Sequence, residues 1–576
     1  GVTYTDAVGF GTVVMTLPTA DGSANQVLKT DGNGALAWVN NAGIAGGIND
    51  LSDALIETNS LYLGNDPVAT TNGANYNVAI GTTALNAITT GDDNTAFGYD
   101  ALTSNTTGIE NTAIGSNALK VNTGSGLTAI GYGALRANTS GTYNTAIGYQ
   151  SLKTNATGVS NTAIGHVTLF NNTGSFNIAI GPSALYANTS GSRNIAIGWG
   201  AYDGADTESD NLAIGHGALG GNNTGIQNIA IGNHSLDANT SGINQVALGY
   251  DALSDNTTGN YNIAIGHSSL ERNTVGNSNT AIGYASLFIN TEGNNNTASG
   301  YSALYGNTTG NDNTAIGFYA LKDNTTGDKN TAAGYRALFS NTQGDDNTAL
   351  GYNALYVNTT GTRNIAIGRA ALDNADTEND NLAIGHDALG GAIAGGEKNI
   401  AIGNYSLKTN TSGDANTGIG WEALKLNAAG NYNTATGSYG LKNNDGGNNN
   451  SAFGHSALFN NTSGNSNTAF GYQAGDVITT GSNNVLIGQG ADPHANSGAN
   501  QIVIGQGATG HGDNIAVIGN GSATAIHPHD DNEVDLGSSS YAFKDTYLKG
   551  TVSLKGTANE LRFYEGANYV GFEAPA

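Results

Sequence analysis

One unit of seventeen residues recurs along this chain, and it constrains every other statement about the fold. Residues 94–110 read NTAFGYDALTSNTTGIE, residues 144–160 NTAIGYQSLKTNATGVS, and residues 313–329 NTAIGFYALKDNTTGDK. Counting from the glycine that ends each A-I-G step, 28 glycines fall in phase between Gly64 and Gly519. A chain that repeats itself this often is a stack of one structural unit, whose coils bury their apolar side chains against their neighbours. Residues 61–519 therefore read as a β-solenoid of about 28 coils, which overrides the several globular domains that 576 residues would otherwise suggest. At one strand spacing per coil, the stack makes a rod of roughly 130 Å.

The departures from the period say where the coil is soft. The spacing shortens to 16 between Gly115 and Gly131 and between Gly165 and Gly181, lengthens to 18 between Gly385 and Gly403, and is 14 at the end. In both short cases the turn Asn-Thr-Thr-Gly has become Asn-Thr-Gly, at Asn122–Gly124 and Asn172–Gly174. Length varies at this corner and never in the A-I-G step, as expected for a solenoid with one tolerant loop.

Each position in the coil has a physical reading. Thr95, Ala96 and Phe97 form a short strand whose side chains alternate, so the alanine points away from its two neighbours. The alanine side stays small along the whole tract, which predicts a close lateral partner there and a symmetric homotrimer built around that face. Ala101 and Leu102 make a second apolar pair, and Gly98 and Gly108 mark two corners where a Cβ would not be tolerated. Asn94 and Asn105 recur in phase and predict stacked Asn ladders bonded to one another and to the turns. The same residues match the N-x-S/T pattern of glycan attachment, which the turn chemistry makes unnecessary. Rings recur after the marker glycine at Tyr99, Tyr132, Tyr149, Tyr250, Tyr284, Tyr301, Tyr335, Tyr352 and Tyr472, with Trp199, Trp421 and His166, His216, His267, His386 and His455 as variants. They read as a stack that stiffens the rod, with a sugar-binding strip as the alternative.

Composition sets the exclusions. With 86 glycines, six prolines and no G-X-Y period, the chain turns often and is not collagen. A formal charge of −26 argues against nucleic acid and anionic membrane surfaces as partners. There is no cysteine for a disulfide or a thiolate metal site, and no apolar run approaches the ~18 residues that membrane insertion needs. The start at Gly1, with neither initiator methionine nor signal peptide, suggests a processed product or a fragment.

The flanks are different in kind. Residues 1–60 read as an N-terminal β module and connector, with hairpins around the Asp-Gly and Asn-Gly turns and one short helix at 51–60. Residues 520–576 read as a C-terminal β module that stops short of completion.

Candidate sites are few. The segment from Asp203 matches that from Asp373 at an offset of 170 residues, so a block of ten coils was duplicated. Its turns carry Asp203, Asp206, Glu208 and Asp210, and again Asp373, Asp376, Glu378 and Asp380; such carboxylates could hold Ca²⁺, but their spacing fits no standard calcium loop and a solvated acidic turn is the preferred reading. His527 and His529 flank Pro528, and on a three-fold axis they would surround a transition metal; the alternative is a surface turn. Every serine or threonine that could act as a nucleophile sits in a repeated column, where a catalytic group should break the repeat, so no enzyme is expected; paired carboxylates for glycoside cleavage stay open, with no pair singled out.

The N-T/S-A-I-G-x-x-A/S-L unit resembles the head repeat of trimeric autotransporter adhesins, which implies a trimeric left-handed parallel β-roll with a longer corner than usual. Residues 17–38 and 535–550 resemble segments of bacteriophage tail fibres. Those resemblances imply a homotrimeric virion fibre, a rigid spacer joined to other fibre or baseplate proteins, that carries a receptor-binding region toward a host surface glycan or protein. A bacterial surface adhesin or extracellular filament subunit is the alternative, followed by a polysaccharide depolymerase and an ice-binding solenoid.

Overall fold

The computed structural model describes residues 26–30, 36–40, 54–57, 59–64, 73–204, 207–221, 224–391, 396–523, 560–565 and 568–573. They are all-β, with no helix among them. Strands β1 (Gln26–Thr30) and β2 (Leu36–Asn40) form an antiparallel hairpin across the Asp-Gly/Asn-Gly segment, as their alternation predicts. The helix expected at 51–60 is replaced by strand β3 (Ala54–Glu57), which turns at Asn59 (φ 63°) and pairs antiparallel with β4 (Ser60–Leu63). The apolar spacing of that segment fits either element, and pairing with the first coil decides it: β3 covers the edge that the ladder would otherwise leave open.

From β4 onward, through β5 (Val78–Ile80) to β31 (Ala516–Ile518), each three-residue strand pairs in parallel and in register with the next. Among the described residues no pairing joins β31 back to β4, so the ladder is open. Register survives the irregular coils: Thr112 lies opposite Thr128 across a 16-residue unit, and Leu382 opposite Ile400 across the 18-residue one. The tolerant corner absorbs these slips. Two compact units divide at Ile518 and Gly519; the second contains the antiparallel pair β32 (Glu560–Glu565) and β33 (Asn568–Glu573).

The coil of residues 280–296 shows how the backbone is satisfied. Thr280 N donates to Asn296 O at 2.8 Å, Gly283 N to Ile265 O at 2.8 Å, and Ala285 N to His267 O at 3.0 Å. On the other side of the coil, Leu287 N donates to Ala303 O at 2.9 Å, Ile289 N to Tyr305 O at 3.0 Å, and Thr291 N to Thr308 O at 3.0 Å. The turns are thus bonded to their own copies one coil away, just as the strands are. Aiming these groups along the axis requires left-handed backbone at Ala285 (φ 49°), Leu287 (φ 51°) and Asn295 (φ 57°). Such angles cost non-glycine residues roughly 1–2 kcal/mol each, and the hydrogen bonds that would otherwise be lost inside the stack offset them.

The interior corrects the expected role of the alanine. Ala281, like its equivalents Ala96 and Ala264, is fully buried within its own coil, packed in one core with the turn residue Leu287. The small side chain is needed because strand and turn of a single coil close on each other, and no lateral partner is involved. The corners are crowded by backbone: a Cβ on Gly300 (φ 140°) would lie 2.4 Å from Gly317 O, and one on Gly310 would lie 2.4 Å from Asn307 Oδ1. Near the end of the ladder the volumes trade places. Leu486 stands where other strands have alanine, and the preceding turn has Gly475 (φ 68°) where other turns have leucine; a Cβ there would meet Leu486 Cδ1 at 2.5 Å. Leu486→Ala alone should therefore leave a cavity and cost about 2–5 kcal/mol, and Gly475→Leu alone should overpack the same space. The double variant rebuilds the ordinary coil, and hydrogen exchange at the C-terminal coils should return to native protection.

Candidate functional site

Repeated side chains form columns along the ladder. The asparagine columns are structural. Asn313 N donates to Asn296 Oδ1 (3.0 Å), Asn313 Nδ2 to Gly327 O (2.8 Å), Asn307 Nδ2 to Asn290 Oδ1 (2.7 Å) and to Gly310 O (2.9 Å). Asn105, Asn256 and Asn324, each followed by Thr-Thr, are fully buried, so the glycan reading fails: the amide that would carry a sugar is inside the ladder. The first threonine of this corner is also used, with Thr291 Oγ1 donating to Thr308 O and Thr308 Oγ1 to Thr325 O. A further, outer column escapes the sequence reading. Asn260, Asn277, Asn294 and Asn311 each take a backbone amide of the preceding coil or give one to the next, and Asp328 continues the series by accepting from Asn311 N at 2.6 Å. Its partial replacement by Asp and Ser hides the period.

The ring column is a stack, as expected from its spacing. Tyr250, His267, Tyr284, Tyr301, Phe318, Tyr335 and Tyr352 follow one another with centroids 5.0–5.4 Å apart and planes within 24°. Parallel rings in contact lie about 3.5 Å apart, so these are offset and cover each other only in part. The ring edges and a strip of each face remain open to solvent.

On another side of the coil, the first and third residue of each strand point outward. They are Thr, Ile, Leu, Val, Phe, Ser or Ala throughout β5–β31 and never charged, in a chain with 45 acidic residues. Ile178, Ile180, Ile263 and Ile265 are each 37–38% exposed. A neutral, largely apolar stripe thus runs the length of the ladder.

The acidic turns do not converge. Arg193 makes a bidentate pair with Asp210 (2.6 and 2.8 Å), and Arg363 does the same with Asp380 (2.6 and 3.1 Å). These guanidinium partners hold both carboxyls below the usual carboxylate range. Glu378 accepts the amides of Asp376 and Thr377, Glu208 accepts from Thr207, and Asp376 accepts from the Thr359 hydroxyl. Burial pushes Asp203 up, with the Asp237 charge adding to it. Asp206, His527 and His529 lie outside the described residues. Among those described, no three His, Asp or Glu side chains gather as a metal ion requires.

Two carboxyls stand apart from the rest. Burial, reinforced by the Asp387 charge, raises Asp373 to about 6; burial and the Asp476 charge raise Asp492 to about 6. Between the ordinary carboxylate pKa and pH 6 the folded chain then binds more protons than the unfolded one, so stability falls as pH rises through that window and levels off above it. Asp373→Asn with Asp492→Asn should raise the thermal midpoint at about pH 7.5, and the gain should shrink toward zero near pH 4.

No protein-family model, curated protein or solved structure matches this chain.

Proposed function

We propose that this chain is a structural fibre protein: a stiff spacer in a viral tail fibre, acting as a homotrimer with other fibre or baseplate proteins and carrying a receptor-binding region to a host cell. The fold supports the spacer role, because every coil is bonded to the next by strand, turn and side-chain ladders, and no coil can bend without breaking several at once. The uncharged outward stripe carries the trimer. Its two columns repeat at one strand spacing from β5 to β31, and a second copy of the same ladder is the partner whose period matches over the whole length. Turning the proposed interface from the alanine to the Thr/Ile columns keeps the trimer while changing the residues that form it. The acidic and amide-rich turns face away from the stripe and keep such a particle soluble.

The purified chain should have a mass of about three times 58.1 kDa in solution. Four substitutions in the stripe, Ile263→Lys, Ile265→Lys, Ile365→Lys and Ile367→Lys, place charges where none occurs and should give a monomer with the same circular dichroism. A native chain that runs as a monomer removes the trimer from the proposal. Antibodies against the chain should decorate tail fibres on intact virions; labelling of bacterial surfaces instead would favour the adhesin reading.

A further inference from the structure

A second column of rings runs beside the first in places, and at Phe288 and Tyr305 the ground between them is open. Phe288 and Tyr305 stack at 5.1 Å with planes 9° apart, beside Tyr284 and Tyr301, which stack at 5.0 Å and 10°. The residues lying between the two columns are Ala285 and Ser302, only 5% exposed each. They leave a trough of about 490 Å³ with Glu271 and Lys322 on its lining, and Tyr319, turned 72° from Tyr301, interrupts the small floor. The comparable stretch at Phe339 and Tyr356 is filled: Arg336 occupies the floor position, with its guanidinium 5.2 Å from the Tyr335 ring centre and 5.6 Å from that of Phe339. The trough is therefore a local departure from the repeat, of the kind a binding site makes and a spacer does not need. Its volume is within the ~300–1,000 Å³ range of small-ligand sites.

We infer that this trough binds a short, electrically neutral oligosaccharide lying along the axis. Three properties of the lining select that occupant. Apolar ring surface alternates with the hydroxyl groups of tyrosines and serines, which suits a molecule whose C–H faces and hydroxyls alternate in the same way. The rings recur at 5.0–5.1 Å, close to the length of one pyranose unit, so successive sugars meet equivalent surroundings. An extended peptide advances about 3.3 Å per residue and falls out of phase with such a ladder. Charge decides against acidic glycans and nucleic acids: Lys322 is already paired with Asp323 at 2.8 Å, and Glu271 adds a negative charge to the lining. None of these residues is in the outward strand columns on which the proposed lateral assembly rests. The inference goes beyond a passive spacer and stands independently of what the fibre belongs to.

The test uses the full chain on an array carrying neutral, sialylated and sulfated oligosaccharides of two to six units, followed by calorimetry with a neutral tetrasaccharide that is retained. Ala285→Arg with Ser302→Arg imports the side chain that naturally fills the neighbouring stretch at Arg336, at a position whose left-handed backbone already accepts it. Affinity should fall at least tenfold with no change in thermal midpoint. Phe288→Ser, which removes one wall and leaves the buried core alone, should give the same loss and covers the case in which the arginines disturb the coil. Tyr149→Ala, in the ring column far from the trough, should bind as the native chain does. Retention of acidic glycans alone, no binding at all, or undiminished affinity in both trough variants would overturn the assignment.

Discussion

The whole molecule depends on one condition: each coil must hydrogen-bond to a copy of itself one strand spacing away. A β-strand meets that condition without strain, but a closed coil also has turns, and their amides and carbonyls are buried between coils as surely as those of the strands. The left-handed residues Ala285, Leu287 and Asn295 are the consequence. They rotate the turn so that its polar groups also point along the axis, where Leu287 N finds Ala303 O. Asparagine serves the remaining groups because its amide supplies both a donor and an acceptor on a short stem. Asn296 accepts from Asn313 N and donates its Nδ2 to Gly310 O, both in the following coil.

A coil this small has a thin core. Ala281 and Leu287 nearly fill it, so strand and turn must share a fixed volume, and where the strand takes more the turn gives it up, as Leu486 and Gly475 show. Few other large apolar residues fit inside, Tyr62, Ile88 and Tyr202 among them. Isoleucines of the strand therefore go outward into the uncharged stripe, and rings after the marker glycine stack with one another on the surface. Stiffness, an uncharged outward stripe and a ringed flank all follow from an interior that holds little more than one alanine and one leucine per coil. Within the coils from β5 to β31 the strands carry no charge, and pairs such as Arg363 and Asp380 form between coils in the turns.

Much of this was legible in the residues themselves. The period, the tolerant Asn-Thr-Thr-Gly corner, the two glycine corners, the buried asparagine columns and the ring stack all follow from positions that keep one residue type, or one kind of side chain, in most coils. The outer column through Asn294 and Asp328 was missed because different residues perform one task there, and a sequence pattern registers identity more readily than function. The segment at 51–60 was misread as helix because four apolar residues fit either element, and only its pairing with β4 tells them apart.

What the sequence determined by itself was the stack: a side-chain period of seventeen admits only a structure in which equivalent residues lie above one another. What the tertiary structure decided was which way each column faces. Alternation along a three-residue strand separates Ala96 from Thr95 and Phe97 but is silent on which side is the interior, since both sides carry apolar residues. Closure of the coil settles it, because only the side facing the turn leucine is limited to a methyl group. The same closure turns the first and third strand residues outward, and it sets Phe288 and Tyr305 beside Tyr284 and Tyr301 across a floor no linear pattern displays.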